Sequence, residues 1–544
     1  MQHMVFMGSE KYPVENAYDS FVSSHGGFCN AFTEGEYTVY QFEVQSEHFA
    51  QALDIFAHCF RSPLLSVHAQ QREVEAIESE FCLAVNEDAS RWQQVFSQHC
   101  RPGHPYVKFT WGNLRSLVEE PKQRGLDVQA LLQAFRQTHY RPARMKLVLA
   151  GPQSLQQLER CVRDSFEDWS LDQIQGSHDD GGSVQHAADV PAPVFSPPLD
   201  PIWKQRVNKI VSLEKGQRLL LTWELPPSMR QYRSKSLAYI AHLLGHEGKG
   251  SLLSLLRGQM LASRVVAGVG DSNMDCSSYV TLFVVQVQLT RQGLANWPYV
   301  VECIGRYLQL LRREGPQRWV FEELRDMAAL AFQFQDEEEP ADLAERLSVE
   351  MLSLLGRERS HLLQASTLHW DFNENEVRQR LEQLALKEAR IDLAASSFAS
   401  MLEADNAGKA EEKKGYAEEG GDSEEESAAE VEEEEDYEGA VADEGDGSEE
   451  EENDAADEED ESLSVLLPAC EQYEDILNSH CEFTHHVEPH FSVDYWSAPL
   501  PEQLYAAWDQ RILQRDEEDK VHSSTDPSKQ TLHLPPRNPY IPSR

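Results

Sequence analysis

Gln2 and His3 are adjacent side chains near the start of the 544-residue chain, and their types could take part in metal chemistry. The imidazole of His3 can bind a zinc ion through a ring nitrogen. The amide of Gln2 can hold a water molecule by hydrogen bonds, but it is not a base near neutral pH. The pair therefore offers one metal ligand and no general base.

A second group of polar side chains follows in the segment from about Ser66 to Asn86, where the pattern predicts a helix. Glu73 and Glu80 are seven residues apart, about two helical turns, so they share one helix face. Considered by composition alone, a helix with Glu73, Glu75, Glu78 and Glu80 is typical of a solvated surface.

Several sequence blocks indicate a different interpretation of these residues. The segment Met1–Pro13 resembles the block following the inverted zinc motif H-x-x-E-H of the insulinase and pitrilysin family of zinc metallopeptidases, and within this family the nardilysin branch. Further blocks that resemble this family are Gln71–Glu80, His242–Leu253, Arg313–Phe321 and Tyr495–Glu502. The resemblance covers nearly all of the chain outside its acidic segment, but only the first half of a typical family member.

The resemblance implies a zinc site that is incomplete in this sequence. Gln2 stands at the position of the family's catalytic glutamate, and His3 stands at the second zinc histidine. Glu80 would be the third ligand, and Glu73 an outer carboxylate that orients the site. The first histidine would lie three residues before Gln2, outside this sequence. We therefore expect weak or absent zinc binding and no base function for Gln2.

The resemblance also implies two peptide-binding regions. Asn30, Ala31 and Phe32 match the edge strand along which family members bind a substrate as an added strand. The second region matches the place where family members anchor a substrate's N-terminus, and it consists of His242, Gly245, Glu247 and Gly268.

Composition restricts the partners. The chain has 48 Lys and Arg against 93 Asp and Glu, a formal net charge of -45. This charge argues against nucleic acid or an anionic membrane as partner and favours peptides or basic proteins. The sequence has no apolar stretch of about 18 residues, so no membrane insertion is predicted. Nine scattered cysteines without a C-x-x-C pair favour a reducing compartment, and we expect a cytoplasmic protein.

The order of predicted elements indicates an α+β fold with two related domains, each a mixed sheet backed by helices. The first domain is predicted over residues 1–170, with strands at Tyr37–Val44 and Met145–Gly151. A linker over 171–204, rich in Gly, Ser, Asp, His and Pro, precedes the second domain over 205–544. Both domains repeat a strand, helix, strand, helix order, which predicts that they are related.

Residues 401–462 interrupt the second domain with an acidic segment. Residues 401–461 contain 30 Asp and Glu against three Lys, with very few large apolar side chains. Such a composition cannot bury enough surface to offset chain entropy, so this segment is predicted to be disordered. Its charge would attract basic partners.

Three functional hypotheses follow. The first is a nardilysin-like zinc metalloendopeptidase relative that is catalytically impaired or inactive and binds peptides or basic proteins. The second is the N-terminal fragment of an active zinc endopeptidase, read from an incomplete gene model. The third is a non-catalytic subunit that pairs with another peptidase half as a homo- or hetero-oligomer. The sequence alone leaves open whether the chain is an enzyme.

Overall fold

The computed structural model describes residues 1–175, 195–353, 359–402, 466–522 and 531–538. Met1–Ser396 and Leu466–Arg544 form one compact unit, and Ser397–Val465 a second, which lies almost entirely outside the described residues. The compact unit contains a two-stranded and a seven-stranded sheet together with many helices, which confirms the predicted α+β class. The predicted acidic segment, apart from its first two residues, and most of the predicted linker lie outside the described residues, and the predicted domain boundaries stay predictions.

The strands are β1 Phe28–Thr33, β2 Thr38–Glu43, β3 Arg206–Val211, β4 Gln217–Leu225, β5 Ala262–Gly268, β6 Thr281–Leu289, β7 Arg390–Ala395, β8 Thr484–Glu488 and β9 Val493–Pro499. The helices are α1 Gln2–Val5, α2 Ala17–Ser24, α3 Phe49–Arg61, α4 Val67–Ala84, α5 Asp88–Gln98, α6 Glu120–Gln123, α7 Val128–His139, α8 Leu155–Gln175, α9 Ser236–Leu244, α10 Leu252–Gly258, α11 Arg291–Ala295, α12 Trp297–Glu314, α13 Arg318–Gln333, α14 Pro340–Ser353, α15 Glu374–Gln383, α16 Pro468–His480 and α17 Glu502–His522. None of the helices that the structure describes combines the length and apolar character needed to cross a bilayer.

The two-stranded sheet is an antiparallel hairpin of β1 and β2, in which Thr33 lies opposite Thr38. A hydrogen bond of 2.9 Å from the Glu34 N–H to the Tyr37 carbonyl closes the turn. Helix α3 packs against the hairpin with an apolar stripe, because residues three and four apart in a helix share a face. The same core cluster contains Val5 of α1, so it also anchors the start of the chain beside the hairpin.

The prediction of a strand at Met145–Gly151 was wrong. Met145 has an extended backbone, but residues 145–151 belong to no sheet, because no strand among the described residues pairs with them. Alternation of side chains predicts an extended segment, whereas a strand also needs a partner for its N–H and C=O groups. Among the described residues of the predicted first domain, β1 and β2 are the strands that form a ladder.

The seven-stranded sheet has the order β5-β6-β4-β7-β3-β9-β8. β3 and β7 are parallel, and the other neighbouring pairs are antiparallel, so the sheet is mixed as predicted. Every residue of the central strand β7 is buried. β5 forms one edge of the sheet, next to the C-terminal end of α9.

A buried polar network joins the two predicted domains. His99, at the C-terminal end of α5, is fully buried and stacks on Trp203 with ring centroids 3.7 Å apart. The Arg390 guanidinium donates to His99 Nδ1 at 2.8 Å, so Nε2 carries the proton and donates to the Tyr495 hydroxyl at 3.0 Å. Arg390 also pairs with Asp392 at 2.7 Å. Burial, and then the charge of Arg390, hold the pKa of His99 well below its ordinary value.

We expect the free energy of unfolding to fall as the pH is lowered from 7 to 5. His99 in the unfolded chain takes up a proton near a pKa of about 6.5, whereas the folded network excludes that proton. Protons therefore favour the unfolded state below this pH, by up to about 1.4 kcal/mol per pH unit for one group. Urea unfolding at several pH values measures the slope, which should be smaller in His99→Gln. Equal slopes in both proteins would contradict this assignment.

Candidate zinc-ligand cluster and peptide-binding edges

Helix α1 holds Gln2 and His3 between α4 and β1. Val5 lies in the core cluster that α3 forms with the hairpin, and Met4 packs with Leu65 and Ala69 at the start of α4. The Ser66 side chain caps α4 by accepting from the Ala69 N–H at 3.1 Å, as expected for a helix that begins at this serine. The two apolar contacts therefore fix the position of the polar pair.

His3 lies against the acidic face of α4. Its Nδ1 is 3.1 Å from a Glu73 carboxylate oxygen, so Nδ1–H donates to Glu73. Its Nε2 is 3.8 Å from Glu80, a distance too long for a hydrogen bond. When Nδ1 carries the proton, Nε2 presents its lone pair toward Glu80. The structure thus brings together three residues that the sequence grouped, with Glu73 in a position to orient the imidazole.

These residues fit a zinc ion only in part. Two ligand atoms about 2.0–2.2 Å from a tetrahedral zinc lie roughly 3.3–3.5 Å apart, so the spacing of His3 Nε2 and Glu80 needs only a small adjustment. A catalytic zinc site, however, takes three protein ligands and a water. Within the part of the chain that the structure describes, no group of three or more His, Cys, Asp or Glu could hold a metal ion. The described residues therefore do not form a complete catalytic site.

Gln2 makes a different set of contacts, on the outer edge of β1. Its side-chain N–H donates to the Ala31 carbonyl at 2.7 Å, and the Thr33 hydroxyl donates to its side-chain oxygen at 2.5 Å. Both polar atoms of the amide are engaged with the strand. An amide in this position binds the edge of β1, and it has no basic lone pair that could accept a proton from a water molecule.

The register of the hairpin explains why Ala31 is exposed to these side chains. The closing pair Glu34 and Tyr37 is hydrogen-bonded, and pairs alternate along an antiparallel ladder. The backbone groups of Cys29, Ala31 and Thr33 therefore point away from β2.

The side chain of Asn30 binds the other outward-pointing backbone group of Ala31, its N–H. Its side-chain oxygen accepts from the Ala31 N–H at 2.9 Å. The side chains of Gln2 and Asn30 thus bind both backbone groups of Ala31, at the centre of the predicted peptide-binding strand. Phe32, the third residue of this prediction, lies on β1 opposite Val39. No sequence pattern signalled this local capping, because it depends on the approach of α1 to β1.

The second predicted peptide-binding region lies at the β5 edge of the seven-stranded sheet. Gly245 ends α9, and a Cβ added to it would approach the Ala241 carbonyl at 3.3 Å and the backbone of β5. Gly268 ends β5 with φ of +156°. The four predicted residues of this region therefore lie on two neighbouring elements, α9 with the loop after it and β5.

Polar groups of this second region have different environments. Burial lowers the pKa of His242, with a smaller contribution from His246, so His242 is neutral at pH 7. The Glu247 carboxylate is 64% exposed and lies 3.8 Å from Arg257. The exposed carboxylate can accept hydrogen bonds from a cationic group.

The hairpin tip is attached to residues 273–278 of the predicted second domain, a contact that the sequence did not predict. Glu34 accepts from the Asn273 N–H at 3.1 Å, and Glu36 accepts from the Ser278 N–H at 2.8 Å. The contact fixes the direction of β1 and β2 relative to the loop before β6.

Comparisons with known proteins agree with this geometry. Two protein families match this chain. The family described as "Insulinase (Peptidase family M16)" matches residues 1–103, and the family described as "Peptidase M16 inactive domain" matches residues 128–327. Nardilysin of Rattus norvegicus is 36% identical over 400 residues, which cover 73% of this chain and 33% of nardilysin. Insulin-degrading enzyme of Homo sapiens is 34% identical over 400 residues, 73% of this chain and 37% of that enzyme. The chain belongs to the insulinase family of peptidases.

The crystal structure of pitrilysin matches with a TM-score of 0.72 and 21% identity, covering 100% of this chain and 45% of that chain. This likeness supports the insulinase fold of the described residues. The chain spans about a third of the length of the curated relatives that it matches. The resemblance inferred from the sequence is therefore confirmed, while the activity of the longer relatives is a matter for proposal.

We expect the purified 544-residue chain to hold far less than one zinc per molecule after dialysis, because His3 and Glu80 supply two ligands where three are needed. Elemental analysis by mass spectrometry measures the ratio. His3→Ala should remove the residual zinc, whereas Glu75→Gln, at an exposed position of α4, should leave it unchanged. One zinc per chain that is lost only to a strong chelator would contradict this expectation.

Proposed function

We propose that this chain binds extended peptides and basic proteins without cleaving them. The observation that carries this proposal is the position of Gln2, whose amide is bound to the β1 edge where the family has its catalytic glutamate. Cleavage by a zinc peptidase needs a carboxylate that accepts a proton from the attacking water. The amide cannot accept that proton, and the adjoining cluster contains a single imidazole.

Peptide binding is supported by the outer edge of β1. An added strand would form ladder hydrogen bonds with Cys29, Ala31 and Thr33, whose backbone groups point outward. At Ala31 the side chains of Gln2 and Asn30 already make such bonds. A peptide must displace them, so each bond that it forms at Ala31 replaces an existing one. In this proposal Gln2 and Asn30 protect the strand edge and lower the affinity for peptides.

The β5 edge would provide a second contact for the same peptide or protein. An edge strand presents unpaired backbone groups, and Val266 of β5 is 45% exposed. We assign the anchoring of a peptide N-terminus to this region, because the Glu247 carboxylate can bind its ammonium group. The neutral imidazole of His242 would contribute a hydrogen bond at the same place.

Charge favours cationic partners. The net charge of -45 attracts basic peptides over distances of about a Debye length, roughly 8–10 Å at physiological ionic strength. Residues 401–461 contribute 30 acidic side chains and three lysines to this charge. All nine cysteines are free thiols, in keeping with a location in the cytoplasm, which is part of the proposal.

Gln2→Ala should raise the affinity for an extended peptide at the β1 edge by about 2- to 10-fold, because one side-chain hydrogen bond of about 0.5–1.5 kcal/mol no longer has to be displaced. Isothermal titration with a basic ten-residue peptide measures the change, and Gln71→Ala, an exposed glutamine of α4, is the matched control. Gln2→Glu should bind the peptide and leave it intact, as followed by mass spectrometry. Metal-dependent turnover by Gln2→Glu or by the unmodified chain would favour the active-peptidase hypothesis instead.

Deletion of residues 401–462 should weaken the binding of a basic peptide at low salt and have little effect at high salt, since the segment acts through screened charge. Titrations at 50 mM and 500 mM salt compare the two proteins. A neutral peptide of the same length should bind both equally. Unchanged affinity for the basic peptide at low salt would exclude a role of the acidic segment in attraction.

A further inference from the structure

The two faces of the edge strand β5 differ in their surroundings. On one face Val265 is 3% exposed, and its neighbours on β6, Val285 and Val287, are fully buried. On the other face, which we call the outer face, Arg264 is exposed and Val266 is 45% exposed. Because side chains alternate along a strand, a chain that pairs with β5 places every second side chain on this outer face.

Guanidinium groups lie along the outer face across neighbouring strands. Arg264 lies opposite Gln288 of β6, and Gln288 lies opposite Arg218 of β4. Directly opposite residues of paired strands share a face. The Gln288 side-chain oxygen accepts from Arg218 at 3.3 Å, so this amide is bound toward β4. Arg264 therefore gives the β5 end of the outer face a positive local charge.

Arg264 differs from two other arginines near this edge, which have carboxylate neighbours. Arg218 lies 2.9 Å from a Glu214 carboxylate oxygen, and Arg257 lies 3.8 Å from Glu247. No carboxylate of the described residues forms an ion pair with Arg264. Its guanidinium presents five N–H donors in a planar fork that matches a carboxylate. The group is thus available for an acidic side chain of a bound peptide.

A β-bulge determines where an added strand can begin to pair. The register of β5 and β6 shifts between Ala262 and Arg264, and Ser263 is the extra residue. The Ser263 carbonyl accepts two hydrogen bonds from the Arg257 guanidinium, at 3.0 and 2.7 Å. Both acceptor positions of this carbonyl are occupied, so a peptide along the β5 edge pairs with residues 264–268.

A peptide on this edge brings one side chain directly beside Arg264. In an antiparallel pair, opposite residues have Cβ atoms about 4.5–5.5 Å apart. Across that distance an aspartate or glutamate reaches a guanidinium, which can donate two parallel hydrogen bonds to the carboxylate. Two residues along the peptide, the next side chain on the same face lies opposite Val266.

We propose that Arg264 determines which peptides the β5 edge prefers, by pairing with an aspartate or glutamate opposite it, two residues from an apolar side chain opposite Val266. The inference rests on the proposed function, because it specifies the peptides that bind at that site. The preferred partner is a peptide with one acidic and one apolar residue in i, i+2 spacing, within a segment that is basic elsewhere.

Two electrostatic effects on such a peptide have opposite signs. The negative net charge of the chain repels an acidic side chain at any position, and salt screens this repulsion beyond about 8 Å. Arg264 attracts the same side chain only where the two residues lie opposite each other, at roughly 5 Å. A glutamate should therefore strengthen binding at one position of the peptide and weaken it at the others.

The experiment is a scan of one ten-residue peptide, titrated into the 544-residue chain by calorimetry. The peptide has a free N-terminus, alternating valine and threonine over its first seven positions, and three lysines after them. Each position from the second to the seventh is replaced in turn by glutamate and, in a separate peptide, by glutamine. At one position glutamate should bind about 2- to 5-fold more tightly than glutamine. At the other positions it should bind equally or more weakly.

Variants of Arg264 test the assignment. Arg264→Gln should remove the preference for glutamate, and Arg264→Glu should replace it with a preference for lysine at the same position. Arg160→Glu is the matched control, because Arg160 is 83% exposed on α8 and its replacement changes the net charge equally. This control should keep the preference of the unmodified chain. A glutamate preference that persists in Arg264→Gln, or no preference at any position, would overturn the proposal.

The glutamine peptides separate this inference from the proposed function. They should bind the unmodified chain and Arg264→Gln equally, because an amide has no charge for Arg264 to attract. If they bind and no glutamate preference depends on Arg264, only this inference fails. If no peptide of the scan binds, the proposed function fails as well. In hydrogen exchange the preferred peptide should protect residues 264–268, and protection confined to β1 would overturn this inference alone.

Discussion

The backbone hydrogen-bonding groups of the β1 and β2 hairpin impose the constraint on which the candidate sites depend. Every strand has two edges, and in a hairpin each strand uses only one of them. On β1 the outer groups of Ala31 bond to the side chains of Gln2 and Asn30. On β2 the outer groups face a cavity of about 1620 Å³. The same pairing rule therefore accounts for a protected edge and an open one.

The protected edge of β1 lies beside the cluster of His3, Glu73 and Glu80. α1 is a single short helix, and its two neighbouring polar residues contact different elements: His3 reaches the acidic face of α4, and Gln2 reaches β1. In a zinc peptidase the residue at the position of Gln2 would act on a water molecule. Here the Gln2 amide is hydrogen-bonded to β1, the strand for which peptide binding is proposed.

Two separate sets of contacts hold the predicted domains together. The buried network of His99, Arg390 and Tyr495 connects the end of α5 to the seven-stranded sheet, and Glu36 connects the hairpin tip to the loop before β6. The bond of Glu36 fixes the hairpin tip, and none of these contacts pairs with β2. A buried network of satisfied hydrogen bonds is costly to disrupt, because each separated group would lose its partner in a low-dielectric interior.

The sequence by itself determined the local elements and the grouping of the site. The pattern over Ser66 to Asn86 predicted a helix, the seven-residue spacing placed Glu73 and Glu80 on one face of it, and the structure places both beside His3. Helical periodicity and caps act between residues close in the chain, so they can be read from it directly.

Only the tertiary structure decided which backbone edges are paired. Residues 145–151 have the alternation of a strand but lack a ladder, and the side chain of Gln2 bonds to a residue 29 positions away. Whether an extended segment becomes a strand, and which side chain caps its edge, depends on neighbours distant in sequence. Periodicity specifies which face of an element is buried. Strand pairing also requires a partner strand, and periodicity does not identify it.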